Sequence, residues 1–162
     1  MIQLKSLFHS LNNYNVRYLL CGGMAVNLYG IPRMTADVDL LIEWDAENVN
    51  SFEKAIGENG YKPSVVFQLK NLISSEVRIN MRRDKNLIAY SFSSDSIRTF
   101  SLDVVIDLPL DFKVCWERRE VRRFSDVDVN LLSVNDLICM KELANREQDK
   151  IDVVNLKQFF KK

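Results

Sequence analysis

A chain of 162 residues with 47% hydrophobic and 27% charged residues has the composition of an ordinary globular protein, which excludes a fibrous or disordered one. Its 22 basic and 22 acidic residues cancel to a formal net charge of zero, so bulk DNA binding by phosphate neutralisation is not expected. No apolar run approaches the ~18 residues that a membrane span needs, so we expect no membrane partner. The three cysteines, Cys21, Cys115 and Cys139, are widely spaced in apolar stretches, which predicts buried free thiols in a cytoplasmic protein.

The first half of the chain alternates between predicted helices and strands. Apolar residues at helical spacing predict a helix over residues 4–12, and a run of strand formers follows over 16–21. A short helix is predicted over residues 24–29 and a second strand over 38–42. Asp45 then has the position of an N-cap, which opens a third helix.

The residue pattern of the second half of the chain predicts several strands and then two helices. Strands are predicted over residues 65–69, 76–81, 86–92, 99–106 and 127–131, with a short helix over 112–119. Ser133 and Asp136 have the spacing of a capping box that opens a helix through residue 144, and a last helix covers 149–160. The fold class expected is α+β in two layers, a small mixed β-sheet flanked by helices, in a single domain over residues 1–162 with C-terminal helices from about 133.

Two aspartates alternate at the start of the second predicted strand. Asp37 and Asp39 are two residues apart, so their side chains project from one face of the strand, separated by ~7 Å along the backbone. Two anions this close repel each other unless a cation lies between them. Oxygen ligands with no nearby His or Cys suit Mg²⁺ or Mn²⁺, so we predict that both aspartates bind a divalent metal.

A third carboxylate is expected from the strand over residues 99–106. If this strand lies beside that of Asp37 with the same face outward, Asp103 completes a two-metal site and accepts the proton of an incoming hydroxyl. Asp107 has the same parity and is the competing candidate. We favour Asp103, because Asp107 lies nearer to the turn at Pro109.

A glycine pair separates the first predicted strand from the helix that follows it. Such a pair lets backbone N–H groups approach an anion closely, and the helix N-terminus adds partial positive charge. Gly23 precedes Asp37 by 14 residues, which allows both to reach the same end of neighbouring strands. We predict that a pyrophosphate leaving group lies between Gly22-Gly23 and the metals; a plain tight turn is the alternative.

These motifs resemble the signature of the polymerase-beta-like nucleotidyltransferase superfamily, in particular its short bacterial members of the minimal and abortive-infection toxin types. The matching segments are CGGMAV at residues 21–26 and RMTADVDL at 33–40, with a less specific tail from Leu137 through Lys141, Arg146, Asp149 and Asp152. The resemblance covers roughly residues 15–45 and 99–160. It implies a nucleotidyltransferase fold.

The resemblance also implies a role for each matching residue. Asp37, Asp39 and Asp103 would be the catalytic metal ligands, and the nucleotide would be bound by Gly22, Gly23, Arg33, Thr35 and Lys141. The implied reaction is Mg²⁺-dependent (or Mn²⁺-dependent) transfer of a nucleoside monophosphate from an NTP, expected to be ATP, to an acceptor hydroxyl, releasing pyrophosphate. The acceptor is a small molecule, a tRNA or a protein, and a partner protein or homo-oligomer is expected to complete its site. A toxin–antitoxin setting follows by family analogy.

Two departures from the family's pattern keep an alternative function open: Met24, and a third acid that is not uniquely placed between Asp103 and Asp107. Many active relatives carry Ser directly after the glycine pair, where this chain has Met24, so one hydroxyl contact to phosphate is missing. The alternative is therefore a weak or inactive nucleotide-binding module that acts through a partner protein. For Lys141, the alternative to a phosphate contact is a solvated helix face.

Overall fold

The computed structural model describes residues 2–94, 100–106 and 109–160 of the chain. The strands found there are β1 (Tyr18–Cys21), β2 (Asp37–Ile42), β3 (Tyr61–Pro63), β4 (Ala89–Ser94), β5 (Ser101–Val105), β6 (Glu120–Phe124) and β7 (Val127–Leu131). The α-helices are α1 (Ile2–Asn13), α2 (Gly22–Leu28), α3 (Ala46–Glu58), α4 (Ser75–Lys85), α5 (Phe112–Glu117), α6 (Val134–Ala144) and α7 (Glu147–Phe160), and a 3₁₀ helix covers Leu69–Ile73. The expected fold class, a mixed sheet flanked by helices, is confirmed.

Strand β2 lies at the centre of a mixed sheet with the order β3-β4-β5-β2-β1-β7-β6. It runs antiparallel to β1 on one side and parallel to β5 on the other. In this register Asp39 lies opposite Cys21 of β1 and also opposite Asp103 of β5. The residue where β1 passes into α2 is therefore level with the two aspartates.

The two faces of the central strands differ in burial. Val38, Leu40 and Ile42 are at most 1% exposed, whereas Asp37 and Asp39 on the other face are only half-buried. Helices α1 and α3 cover the buried face, as the ring contacts of Phe8 with Tyr18 and of Phe52 with Phe92 show. Since one face is apolar and covered, the alternating aspartates must point to the other.

Two predicted strands are wrong. Residues 76–81 lie within helix α4, where Val77 and Met81 pack against the core one helical turn apart and Ile79 is exposed. The alternation of Val77, Ile79 and Met81 looks like a strand, but the 3.6-residue period decides the structure. Residues 65–69 form no strand either, and Val66 among them is fully exposed.

Other predictions are confirmed or corrected by local chemistry. The carboxylate of Asp45 accepts a hydrogen bond from Asn48 N, so the predicted cap of α3 is confirmed. Cys21 and Cys115 are buried free thiols, but the predicted burial of Cys139 is wrong, because α6 turns that residue outward. No helix in the described part of the chain is long and apolar enough to cross a bilayer.

Candidate active site

Three carboxylates come together on the less covered face of the sheet. Asp37 and Asp39 alternate along β2, and Asp103 lies beside Asp39 on the parallel strand β5. The predicted juxtaposition of the three acids is therefore present in the structure. Asp107, the competing third acid, lies outside the described residues.

The electrostatics at Asp39 show that the negative charges are close. Burial raises the pKa of Asp39 above its ordinary value, and the charges of Asp103 and Asp37 raise it further. Arg146 and Lys141 oppose this shift but do not cancel it. An ionised Asp39 is thus destabilised by its surroundings, and added positive charge would stabilise it.

The donor chemistry of this face fits a divalent cation. Asp103 Oδ1 is fully buried and has no hydrogen-bond partner among the described residues, which is costly for a carboxylate oxygen unless a ligand contacts it. Carboxylate oxygens are what Mg²⁺ prefers. In the same described ranges no three Asp, Glu, His or Cys side chains form a ready-made metal cage. The fit therefore rests on the donor set and the unpartnered oxygen.

A serine on β5 holds the first aspartate. Ser101 lies opposite Asp37 in the parallel register, and its hydroxyl donates a hydrogen bond to Asp37 Oδ1. The bond orients the Asp37 carboxylate through its Oδ1. Sequence reasoning missed Ser101, because the pairing of two residues 64 positions apart depends on the strand order.

Gly22 allows the start of α2 to pass directly over Asp39. A Cβ at this position would lie 1.8 Å from Asp39 Oδ2, so any side chain here would require the Asp39 carboxylate to move. Gly22 also has a φ of +63°, a region that disfavours residues with a side chain. Both properties bring backbone next to the acidic site, as the glycine pair predicted.

Gly23 makes a similar close approach to the loop that precedes the aspartates. A Cβ there would lie 1.7 Å from Arg33 Nη1 and 2.8 Å from Thr35 Oγ1. Asn27 of α2 holds this loop with two hydrogen bonds, accepting from Arg33 N at 2.7 Å and donating to Arg33 O at 2.8 Å. The structure thus brings Gly22, Gly23, Arg33 and Thr35 to the amino end of β2, beside the acids.

Lys141 lies in a buried cluster of charges between the last two helices. Its side chain is 3% exposed, and Nζ lies 2.6 Å from Asp152 Oδ2 and 3.3 Å from Asp149 Oδ1. The solvated alternative does not describe this side chain. Its charge reaches Asp39, yet its amine is held by carboxylates, so a direct phosphate contact stays a prediction.

Two arginines join this cluster to the site. Arg33 Nε lies 3.1 Å from Asp152 Oδ2, without the alignment of a hydrogen bond. Arg146 Nε donates to Asp149 Oδ2 at 2.6 Å, and its side chain is otherwise 74% exposed. Burial favours a raised pKa for Asp149, but the bond from Arg146 and the charge of Lys141 outweigh it, so the pKa lies below its ordinary value.

Replacing Gly22 with alanine is expected to impair both stability and the site. The positive φ alone costs about 1–2 kcal/mol, and the new methyl group must displace the Asp39 carboxylate. Gly57→Ala is the matched control, because a Cβ at this helical position meets nothing within 4 Å and should stabilise by about 0.5–1 kcal/mol. Chemical denaturation measures both. Equal stabilities of the two variants would contradict the close approach of Gly22 to Asp39.

The comparisons with known proteins agree with this geometry. The family model described as nucleotidyl transferase AbiEii toxin, Type IV TA system, matches residues 5–158. The chain belongs to the AbiEii nucleotidyltransferase toxin family. The match includes all three aspartates, both glycines and the buried Lys141 cluster. No curated protein matches this AbiEii-family chain at a significant level.

Solved structures support the same fold for the AbiEii-family chain. The lincomycin-bound lincosamide antibiotic adenylyltransferase LnuA is similar to it with a TM-score of 0.63 and 17% identity, over 97% of this chain and 96% of that one. ANT(2")-Ia in complex with adenylyl-2"-tobramycin gives a TM-score of 0.53 and 11% identity, over 94% of this chain and 84% of that one. At these identities the likeness shows the nucleotidyltransferase fold alone.

Proposed function

We propose that this AbiEii-family chain transfers a nucleoside monophosphate from an NTP, in the first instance ATP, to an acceptor hydroxyl and releases pyrophosphate. The observation that carries the proposal is the alignment of Asp37, Asp39 and Asp103 on adjacent parallel strands, with Gly22 pressed against Asp39. Family membership supports the reaction class. The adenylyltransferase neighbours motivate the choice of ATP.

Each element of the site has a task in this reaction. The backbone at Gly22 and Gly23 and the cation Arg33 would bind the phosphates, because they lie at the amino end of β2. Arg146 would add positive charge, since its charge acts on Asp39. Asp37, Asp39 and Asp103 would hold Mg²⁺ or Mn²⁺. When bound, such an ion neutralises charge on the phosphates and lowers the barrier to attack at phosphorus.

Asp103 is the proposed proton acceptor. Its Oδ1 has no hydrogen-bond partner among the described residues, so the carboxylate can accept the proton of the incoming hydroxyl without first breaking a hydrogen bond at that oxygen. Asp37 is held by Ser101 and suits a fixed ligand better. The protein thus aligns the reactants and supplies charge, which is most of what phosphoryl chemistry requires.

A second candidate function is a nucleotide-binding module without turnover. The observation that favours it is Met24, whose side chain is 7% exposed and supplies no hydroxyl where many active relatives carry Ser. Such a module would bind ATP and metal but release no pyrophosphate. An antitoxin is the proposed partner in either case, because the matched family is a toxin of a toxin–antitoxin system.

Two labelled forms of ATP separate these functions. With Mg²⁺ and a cell extract as the source of acceptors, label at the α-phosphate should move to an acceptor, and label at the γ-phosphate should leave as pyrophosphate. Transfer of the γ-label instead would indicate a kinase and overturn the proposal. Binding of ATP by calorimetry without release of either label would favour the module.

A further inference from the structure

A cavity of about 370 Å³ opens at the carboxyl ends of β2 and β5. Leu41 and Val105 form part of its floor, and each follows an acidic residue, Asp39 or Asp103, by two positions. Residues two apart on a strand share a face, so Leu41 and Val105 lie on the acids' face, about 7 Å further along the strands, whereas Ile42 and Ile106, which also line the cavity, lie on the other face. The cavity therefore lies at the ends of the two strands and reaches the acids' face at Leu41 and Val105.

The phosphate-binding elements lie at the opposite end of β2. Gly22 contacts Asp39, and Gly23 contacts Arg33 and Thr35, which precede the strand. The acids thus separate the glycine pair from the cavity. In an in-line displacement the attacking and leaving oxygens are on opposite sides of phosphorus. With pyrophosphate at the glycine end, the acceptor must approach from the cavity end.

We propose that this cavity binds the acceptor, and that the acceptor is a small hydroxyl-bearing molecule with an apolar face. The proposal rests on the proposed nucleotidyl transfer. In the step itself the acceptor oxygen forms a bond to the α-phosphorus while the bond to the bridging oxygen of the β-phosphate breaks. Pyrophosphate leaves with that electron pair, and the hydroxyl proton passes to the carboxylate of Asp103.

The apolar side chains that line the cavity are the reason why we expect the acceptor to have an apolar face. Trp44, Phe112 and Leu110 line the cavity together with Leu41 and Val105. One face of Trp44 is covered by the Arg78 guanidinium, 5.2 Å from the ring centroid, which fixes the ring in place. A volume near 370 Å³ lies at the lower end of the range for small-molecule sites.

The charges of the lining argue against a nucleic acid acceptor. Glu43 and Asp111 contribute two carboxylates and Arg78 and Lys113 two cations, so the lining carries no net positive charge. Arg78 also donates to Leu72 O at 2.6 Å and Ile73 O at 2.9 Å, which restrains it from following a phosphate backbone. A polynucleotide end would require a surplus of cations.

The test uses the full chain, Mg²⁺ and α-labelled ATP with three separate fractions of a cell extract: low-mass metabolites, RNA and protein. We expect the label in the metabolite fraction. Lys113→Trp places a large ring at the cavity rim on exposed α5 and should lower kcat/KM for the labelled acceptor at least about tenfold, with KM for ATP unchanged. Lys54→Trp, on the exposed side of α3, is the matched control and should change neither value.

Label in RNA or protein alone would overturn the acceptor assignment and leave nucleotidyl transfer standing. The acceptor assignment is also overturned if Lys113→Trp and Lys54→Trp behave alike toward a small acceptor. If no fraction is labelled and no pyrophosphate forms, the proposed function fails and the acceptor assignment fails with it.

Discussion

Asp39→Asn is expected to lower the rate of nucleotidyl transfer by about a thousandfold while leaving the fold at least as stable as the wild type. Asp39 is central in the acidic group, opposite Asp103 and two residues after Asp37. Its raised pKa means that the ionised form is disfavoured in the folded chain, so a neutral side chain of the same shape relieves repulsion. Activity and stability should thus change in different directions.

Pyrophosphate release and thermal unfolding in metal-free buffer measure the two effects. Asp84→Asn is the matched control, because Asp84 lies on α4 with 54% of its side chain exposed and pairs with its neighbour Arg83. The control should retain full activity. A melting temperature for Asp39→Asn well below that of the wild type would show that Asp39 has a structural role, and retained transfer would falsify its place in the reaction.

Lys141→Met is expected to destabilise the fold by about 3–5 kcal/mol. Its amine lies between Asp149 and Asp152, whose side chains are 1% and 2% exposed. Removing the cation leaves two buried carboxylates with less compensating charge. The attraction to the remaining cations then no longer offsets the free energy that burying the carboxylates costs. Arg146 still pairs with Asp149 and Arg33 still lies beside Asp152, so each carboxylate keeps one cation and loses the buried amine between them.

Urea denaturation provides the measurement, and Lys150→Met provides the matched control. Lys150 is also paired with an acid, Glu147, but the side chains are 52% and 88% exposed. A pair so open to solvent should contribute less than about 0.5 kcal/mol. If the two methionine variants unfold at the same urea concentration, the buried ion pairs of Lys141 contribute no more to the free energy of unfolding than the exposed pair of Lys150 does.

The central part of the site could be predicted because its signals are local. The alternation of Asp37 and Asp39 fixes a shared face, and the apolar residues between and after them decide which face is buried. Gly22-Gly23 follows an apolar strand directly, which places the glycines at the start of a helix. The position of Asp103 needed one further condition, that β5 lies beside β2, and the parallel register satisfies it.

The remaining features depend on contacts that no local pattern encodes. Ser101 reaches Asp37 only through the sheet register, and Asn27 holds the Arg33 backbone through a side-chain amide that resembles any polar helix residue. Lys141 is followed directly by Glu142 and lies near the end of a predicted helix, where a solvated lysine is common. Its burial follows from the packing of α6 against α7, which pairs residues 8 and 11 positions apart.

The same carboxylate, Asp152 of α7, lies against both Lys141 and Arg33. The final helix is therefore a source of counter-ions for the loop that leads into β2, as well as a packing element. A shortened form ending before Glu147 would leave two cations facing each other without an acid between them. Expression trials that trim this chain should therefore keep α7 through Phe160.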